Sequence, residues 1–138
     1  MATMIFVNLP VKDLDRSVAF FTGLGFTFNP QFTDENATCM VISDTIYVML
    51  LVEKIFKTFT KKEVSDSSKT TESITSLFVD SREQVDELAD KAMQAGAKPS
   101  VELEEMPGMY ARNFEDLDGH LWEVGWMDKN YMTQVDNE

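Results

Sequence analysis

The first half of the chain alternates short apolar runs with polar turns, in an order typical of one strand, one helix and three further strands. Residues 5–11 are rich in strand-forming side chains. Asp13 can then cap a helix over residues 14–22, where apolar side chains recur at helical spacing. Further strands are predicted at 26–28, 38–42 and 46–52. The first half is therefore predicted to fold as βαβββ.

The second half repeats this order of elements. A strand is predicted at 74–79, followed by a helix that opens at Ser81, runs through Met93 and ends before Gly96. The spacing predicts a second helix about one turn longer than the first. Three more strands are predicted at 98–103, 110–115 and 121–127. The chain is thus an internal duplication in pattern, though weakly in letters.

The length of 138 residues, with 43% hydrophobic residues, fits one compact domain with a sizeable core. The segment between the two halves, Lys54–Thr71, starts with apolar side chains and is expected to cross over as a short helix. The predicted organisation is a single domain over 1–128, with module one at about 4–53, module two at about 72–128, and a flexible acidic tail at 129–138.

The charge balance excludes some partners. Lys and Arg total 12 against 24 Asp and Glu, a formal net charge of −12, which repels a phosphate backbone and an anionic membrane at long range. The same field favours a cationic ligand. The chain has no apolar run near the length of a membrane span and no basic start typical of a signal peptide. We therefore expect no nucleic acid, no membrane and a cytoplasmic location.

The single cysteine and the single histidine offer little chemistry. Cys39 cannot form an internal disulfide, and with only His120 beside it the chain has no zinc motif. A catalytic Cys-His pair would require these two residues to meet in space. A lone cysteine in a strand more often packs as a small apolar side chain.

A turn near the end of the chain carries a carboxylate into an apolar strand. Asp118 and Gly119 are a strong hairpin signal, because both tolerate a positive φ. In the strand that follows, alternation places Glu123 on one face. That face also holds Leu121 and Gly125, and the other holds Trp122, Val124 and Trp126. Glu123 is therefore either a functional group that meets a metal or a donor, or simply a solvated carboxylate.

Two sequence stretches are the most specific family signals. Residues 11–26 carry VKDLDRSVAFFTGLGF, and residues 116–123 carry DLDGHLWE. With the two tandem βαβββ units, they resemble the vicinal oxygen chelate superfamily, which includes glyoxalase I, bleomycin-resistance proteins and extradiol dioxygenases. The resemblance covers residues 4–128. Residues 6–11 and 81–88 make the chain most similar to bacterial proteins described as predicted lactoylglutathione lyases.

The resemblance implies an α+β fold in which two tandem βαβββ modules form a curved mixed sheet with a central cleft for ligand or metal. It also implies a homodimer, because this architecture commonly leaves surface for a second copy to cover.

Metal-dependent members of the superfamily take four ligands, and the resemblance assigns their positions here. Glu123 fits the last position, four residues after the glycine of the final turn. The other three positions fall on Phe6, Met49 and Ile74. Divalent metals of this class do not use such side chains, and a register shift of two residues would bring in only Asn8 or Ser76. The expectation is therefore no cofactor, with a divalent metal as the alternative.

Without a metal, the cleft becomes an apolar cavity suited to a partly apolar small molecule. Glu123 is the candidate catalytic residue, as a general base or as an acceptor for an amine or hydroxyl of the ligand. The predicted ligand-binding residues are Phe6, Asn8, Met49, Ile74, Tyr110 and Glu123.

Three function classes follow. The first is a metal-free protein similar to the bleomycin-resistance branch, which sequesters a small molecule and is favoured by the missing ligands. The second is a metal-dependent lyase similar to lactoylglutathione lyase, or a dioxygenase, so the chain is a possible enzyme. The third is an interaction domain whose cavity is filled by its own side chains.

Overall fold

The structure, a computed structural model, describes residues 2–104 and 106–130. The chain divides into two compact units, Met1–Asp66 and Ser67–Glu138, called unit 1 and unit 2 below. Each unit contains one four-stranded mixed sheet with one long helix. The predicted α+β fold of two tandem βαβββ modules is confirmed. The central cleft stays a prediction from the resemblance.

Unit 1 follows the predicted order of elements. Its strands are β1 Ile5–Val11, β2 Thr27–Asn29, β3 Ala37–Val41 and β4 Ile46–Val52, its helix is α1 Leu14–Gly23, and a 3₁₀ turn covers Pro30–Phe32. The sheet order is β1-β4-β3-β2, in which β1 runs parallel to β4 and the other pairs are antiparallel. After β4 the chain forms a short helix, α2 Glu53–Phe56, and a 3₁₀ turn at Lys57–Phe59, as the crossover prediction expected.

The sequence explains how unit 1 is held together. The side chain of Asp13 accepts a hydrogen bond from the backbone N–H of Arg16 at 3.1 Å, which caps α1 as predicted. The helix buries Phe20 and Phe21, whose rings meet edge to face with centroids 4.9 Å apart. Alternate side chains of the strands are also buried, so the core of this unit is almost wholly apolar. These strand residues are Leu9, Val11, Met40, Val48 and Leu50.

Unit 2 repeats the arrangement. Its elements are β5 Ile74–Phe78, α3 Arg82–Gln94, β6 Lys98–Pro99, β7 Met109–Glu115 and β8 Leu121–Met127. The sheet order is β5-β8-β7-β6, with β5 parallel to β8, and α3 packs on β7 and β8. Helix α3 has 13 residues against 10 in α1, which confirms the expected extra turn.

The predicted helix start of α3 is also confirmed. The Ser81 hydroxyl accepts from the backbone N–H of Gln84 at 3.2 Å, and the Gln84 side chain in turn accepts from the N–H of Asp80 at 2.8 Å. The buried face of α3 carries Val85 and two alanines, Ala89 and Ala92. The large buried side chains on this side come from the sheet, as Phe114 and Trp122.

One predicted strand is wrong in length. A strand was expected over residues 98–103, but β6 covers only Lys98–Pro99. Proline has no backbone N–H to continue a ladder, and the N–H of Val101 instead donates to the side-chain oxygen of Asn113 at 3.0 Å. A side chain of β7 thus replaces the backbone partner that a longer strand would need.

Two further expectations concern the C-terminal tail and membrane-spanning helices. Most of the predicted acidic tail, residues 131–138, lies outside the described residues. Within the described part of the chain, no helix is long and apolar enough to cross a membrane.

Candidate functional site

Three of the predicted ligand-binding residues share one sheet face of unit 1. Asn8 lies opposite Met49 in the parallel β1-β4 pair, and Phe6 lies opposite Tyr47, whose ring it stacks on at 4.8 Å between centroids. Phe6 is 44% exposed. Because side chains alternate along a strand, this face is opposite the one that carries the buried Leu9 and Val11. We call it the open face of unit 1.

A cavity of about 300 Å³ lies at this open face. Asn8 and Leu51 contribute from the sheet, and the segment after β4 contributes Phe56, Phe59 and Thr60. Its walls are thus two aromatic rings and an aliphatic side chain, with one amide and one hydroxyl as polar groups. Ligand cavities commonly combine apolar walls with a few polar groups in this way, at volumes from about 300 Å³ upward.

A second cavity, of about 540 Å³, is lined by charged side chains of the same segment. Thr60 lines both cavities, so the two adjoin. The remaining lining residues are Glu53, Lys57, Lys61, Lys62, Glu63 and Val64. The sequence interpretation missed this site. The available signal was the run Lys54–Lys62, which holds four lysines and no acidic residue in an acidic chain.

In unit 2, Glu123 lies on β8, where alternation predicted it. Its cross-strand partners are Ser76 on β5 and Asn113 on β7, and its side chain is half-buried. Ile74 lies on the same face, two residues before Ser76, and is 60% exposed. Among the described residues, the Glu123 carboxylate has no hydrogen bond or ion pair. It remains available to a ligand or to solvent.

The structure does not bring Tyr110 to the face of Glu123. Tyr110 pairs with Trp126 across β7 and β8, and both point to the side covered by α3. Its hydroxyl donates to the Asp86 carboxylate at 2.6 Å, and the Arg82 guanidinium lies 5.3 Å from its ring centroid. The ring of Trp126 lies 5.1 Å from the same guanidinium, so both rings contact a side chain of α3.

Asp86 is the centre of a polar network on α3. Arg112 donates to Asp86 at 3.1 Å and to Asp90 at 2.9 Å. The hydrogen bond from Tyr110, followed by the contacts of Arg112, lowers the pKa of Asp86, and the same bond raises the pKa of Tyr110. These contacts tie α3 to β7. Tyr110 therefore has a structural role, which is to hold the helix on its sheet.

A buried carboxylate holds the turn between β7 and β8. Asp116 is 7% exposed and accepts hydrogen bonds from the N–H groups of Asp118 and His120 and from the indole N–H of Trp122, all at 2.9–3.0 Å. Burial raises its pKa, against the opposing effects of the His120 charge and these hydrogen bonds. The predicted turn is confirmed, with Gly119 at φ +90°. Sequence interpretation had passed over Asp116 in favour of Glu123.

Cys39 behaves as the packing residue that was expected. It is 1% exposed on β3, and burial raises the pKa of its thiol. A raised pKa disfavours the thiolate, which is the nucleophilic form. His120 lies in the turn of unit 2, where its backbone N–H donates a hydrogen bond to the Asp116 carboxylate at 3.0 Å.

Of the four positions that the resemblance assigns to metal ligands, only Glu123 carries a side chain that suits a divalent metal. Phe6 and Ile74 offer no donor atom, and Met49 offers only a soft thioether. The shifted alternatives, Asn8 and Ser76, lie opposite Met49 and Glu123 but bring only neutral oxygens. Across residues 2–104 and 106–130, no group of three or more His, Cys, Asp or Glu could hold a metal ion.

Comparison with protein families gives one match. Residues 3–43 match the family described as bleomycin resistance protein-like N-terminal. No curated protein matches the chain.

Comparison with solved structures gives several similar folds. A hypothetical protein from S. aureus is 31% identical, with 91% of this chain and 95% of that protein covered and a TM-score of 0.75. A glyoxalase/bleomycin resistance protein/dioxygenase family enzyme from Burkholderia phytofirmans is 18% identical over 91% and 99% of the chains, with a TM-score of 0.76. The fosfomycin resistance protein FosX from Listeria monocytogenes, in complex with Mn(II) and sulfate, is 17% identical over 99% and 98%, with a TM-score of 0.72.

Proposed function

Because the chain belongs to the vicinal oxygen chelate superfamily, we propose that it binds a small, partly apolar molecule, without the metal that many such proteins use. The single observation that carries this proposal is the cavity of about 300 Å³ at the open face of unit 1. Asn8, Phe56 and Phe59 give it one amide that can orient a ligand and two rings that can stack on it. Phe6 and Met49 extend the apolar surface along the same face.

The proposal of a metal-free site follows from the donor chemistry. Phe6, Met49 and Ile74 stand where metal-dependent relatives need nitrogen or oxygen donors. A hard divalent cation that gave up its water at these positions would gain nothing in return. Binding of the organic ligand then depends on apolar burial and on the amide of Asn8.

A metal-dependent lyase or dioxygenase is the second candidate. The observation that favours it is Glu123, a half-buried carboxylate that has no partner among the described residues and fits the last ligand position. The similar fold of FosX, solved with Mn(II), adds support. In this second function, Glu123 is the residue that would accept a proton or a hydrogen bond from the substrate.

We also propose a homodimer. In each sheet the first strand is an edge strand that exposes large apolar side chains, among them Ile5 on β1 and Ile74 and Phe78 on β5. A second copy of the chain would remove this surface from water. Sedimentation equilibrium should show a dimer that Ile74→Lys weakens, whereas a monomer at all concentrations would contradict it. The cytoplasmic location stays a prediction from the sequence.

Ligand titration monitored by amide chemical shifts tests the binding function. The ligands are a set of phenyl compounds of one chain length, namely 3-phenylpropanamide, 3-phenylpropanoate and 3-phenylpropylamine. At least one should shift the amides of Asn8 and Thr60, and Asn8→Ala and Phe59→Ser should each weaken its binding by about tenfold, a change of roughly 1.4 kcal/mol. Phe32→Ser is the matched control, because Phe32 is also exposed on unit 1 but does not line the cavity.

Elemental analysis of the same preparation separates the two functions. The binding proposal expects no stoichiometric divalent metal. Stoichiometric metal that is lost in Glu123→Ala would contradict the proposal and favour the metal-dependent enzyme. Failure of all three phenyl compounds to shift any amide at the cavity would contradict small-molecule binding there.

A further inference from the structure

Resting on the proposed function, we infer that the ligand of unit 1 is an amphiphilic anion. Its apolar part occupies the cavity beside Asn8, and its anionic group, a carboxylate or a similar singly charged group, binds Lys57, Lys61 and Lys62 in the adjoining cavity. This identifies a ligand class opposite to the cation that the net charge of the chain predicts.

The distribution of charge along the chain is the first step. Four of the twelve Lys and Arg residues lie within the nine residues Lys54–Lys62, and no Asp or Glu interrupts them. The same nine residues hold Ile55, Phe56 and Phe59. In a chain of net charge −12, this segment is the most basic, and two of its nine residues are aromatic. An anion with an apolar part would find both cationic and apolar side chains in this segment.

The second step is the geometry of the lysines. Lys57 begins the 3₁₀ turn Lys57–Phe59, and the hydroxyl of Thr60 accepts from the backbone N–H of Lys62 at 3.0 Å, which fixes the turn that follows. Lys57, Lys61 and Lys62 line the 540 Å³ cavity. Within the described part of the chain, none of these three ammonium groups is in an ion pair. Their donors are therefore not already committed to a carboxylate.

The net charge of the residues that line the cavity limits the charge that a bound ligand can carry. Glu53 and Glu63 also line it, so the three lysines leave a net lining charge of one positive unit. This balance suits a single carboxylate better than a multiply charged phosphate, since each further negative charge would meet the two glutamates. The wall shared through Thr60 places that charge next to the apolar cavity.

Screening by salt determines whether a bound ligand interacts with the charges that line the cavity or with the net charge of the whole chain. At physiological ionic strength, interactions of exposed charges beyond about 8 Å are largely screened. A ligand in the cavity therefore interacts mainly with the lysines and glutamates that line it. The net charge of −12 acts mainly on the approach of the ligand at low salt.

The same side chains could also meet an anionic membrane surface, because Phe59 is 75% exposed among lysines. The cavity favours a free molecule, since a membrane would need only an exposed rim and no recess of about 300 Å³. The chain as a whole, at a net charge of −12, is also repelled by anionic lipid.

Calorimetric titration of the intact protein with the three phenyl compounds tests the inference. 3-Phenylpropanoate should bind about tenfold more tightly than 3-phenylpropanamide, and 3-phenylpropylamine should bind most weakly. In the double variant Lys57→Gln/Lys61→Gln the preference for the anion should disappear, while the amide should bind as before. Lys54→Gln is the matched control for the single variant Lys57→Gln, because it removes the same charge from the same segment but does not line the cavity. Thermal melts confirm that the variants fold.

The outcomes are distinct. If the amide binds and the carboxylate binds no better, the anion inference is overturned while the proposed binding function stands. If Lys54→Gln reduces the preference as much as Lys57→Gln, the lysines act only through general charge and the assigned site is wrong. If none of the compounds binds but the protein sediments with phosphatidylglycerol vesicles, both proposals fail in favour of a membrane surface.

Discussion

The two units share one topology and bury apolar side chains between helix and sheet, but unit 2 adds a polar network to this burial. In unit 1, α1 buries Phe20 and Phe21 against an apolar sheet. In unit 2, α3 buries small alanines, and Tyr110 and Arg112 reach from β7 to Asp86 on the helix. Apolar burial is roughly proportional to area and indifferent to pH, whereas the polar contacts of unit 2 depend on an ionised carboxylate.

Polar side chains have different roles in the two units: in unit 2 they join the helix to the sheet, and in unit 1 they line cavities. The polar side chains of the helix face of unit 2 have internal partners and hold the structure together. In unit 1, Lys57, Lys61 and Lys62 line one cavity, and Asn8, whose side-chain N–H donates to the Phe6 carbonyl at 3.4 Å, lines the other. A cluster of polar side chains is therefore a better candidate for binding when it lines a cavity than when it joins two elements.

The largest expected effect comes from the apolar unit. Phe21→Ala removes a side chain that is 2% exposed, so it should reduce the free energy of unfolding by about 3–5 kcal/mol, and by the same amount at pH 5 and pH 8. Urea denaturation at the two pH values measures it. Phe32→Ala, at an exposed phenylalanine of the same unit, should cost under about 1 kcal/mol. Equal costs for the two variants would show that α1 is not held by aromatic burial.

The second-largest expected effect is a difference in stability between glycine substitutions in two turns, one from each unit. Gly25 and Gly119 both have positive φ, +102° and +90°, but a Cβ at Gly25 would meet nothing within 4 Å, whereas one at Gly119 would lie 2.6 Å from the backbone oxygen of Ser67. Gly25→Ala should cost about 1–2 kcal/mol from backbone conformation alone. Gly119→Ala should cost roughly 1–3 kcal/mol more, because the backbone of Ser67 must move.

Chemical denaturation of the two glycine variants under one set of conditions gives the difference directly. Equal costs would mean that the approach of Ser67 is easily relieved. In that case the hydrogen bond from the Ser67 hydroxyl to the Asp118 carbonyl, at 2.6 Å, is not a fixed part of the turn.

Most of the fold could be predicted from the sequence, because its elements are bounded by strong local signals. Asp13 and Ser81 cap the helices where predicted, and the Asp118-Gly119 turn lies where predicted. The failure was the strand expected at 98–103. There a side chain on another strand, Asn113, takes the backbone partner of Val101, and no local pattern shows such a contact.

The site was harder to predict than the fold. Alternation placed Glu123 on its correct strand face, yet Tyr110 was expected to contact ligand, because the sequence does not show the register that pairs it with Trp126. The cavities were missed because Phe59 and the lysines come from a segment without repeating pattern. Their joint position depends on a tertiary fold that brings the segment to the open face of β1 and β4.

The smallest expected effect separates the two units by pH. Tyr110→Phe removes the hydrogen bond that, first among its causes, lowers the pKa of Asp86. A lowered carboxyl pKa adds stability above the ordinary value of about 4, and this stability is lost as the pH falls through the lowered value. Because Asp86 is half exposed, we expect a cost of only about 0.5–1 kcal/mol at pH 7. The cost should shrink below about pH 4.

Tyr47→Phe in unit 1 is the matched control for this prediction. The Tyr47 hydroxyl donates to the backbone carbonyl of Asp44 at 2.9 Å, an acceptor that does not titrate, so the cost of this variant should stay constant with pH. Urea denaturation of both variants from pH 3 to pH 8 checks the pair. A pH-independent cost for Tyr110→Phe would show that its hydroxyl contributes packing alone. Tyr110 would then hold α3 on its sheet without help from the charge of Asp86.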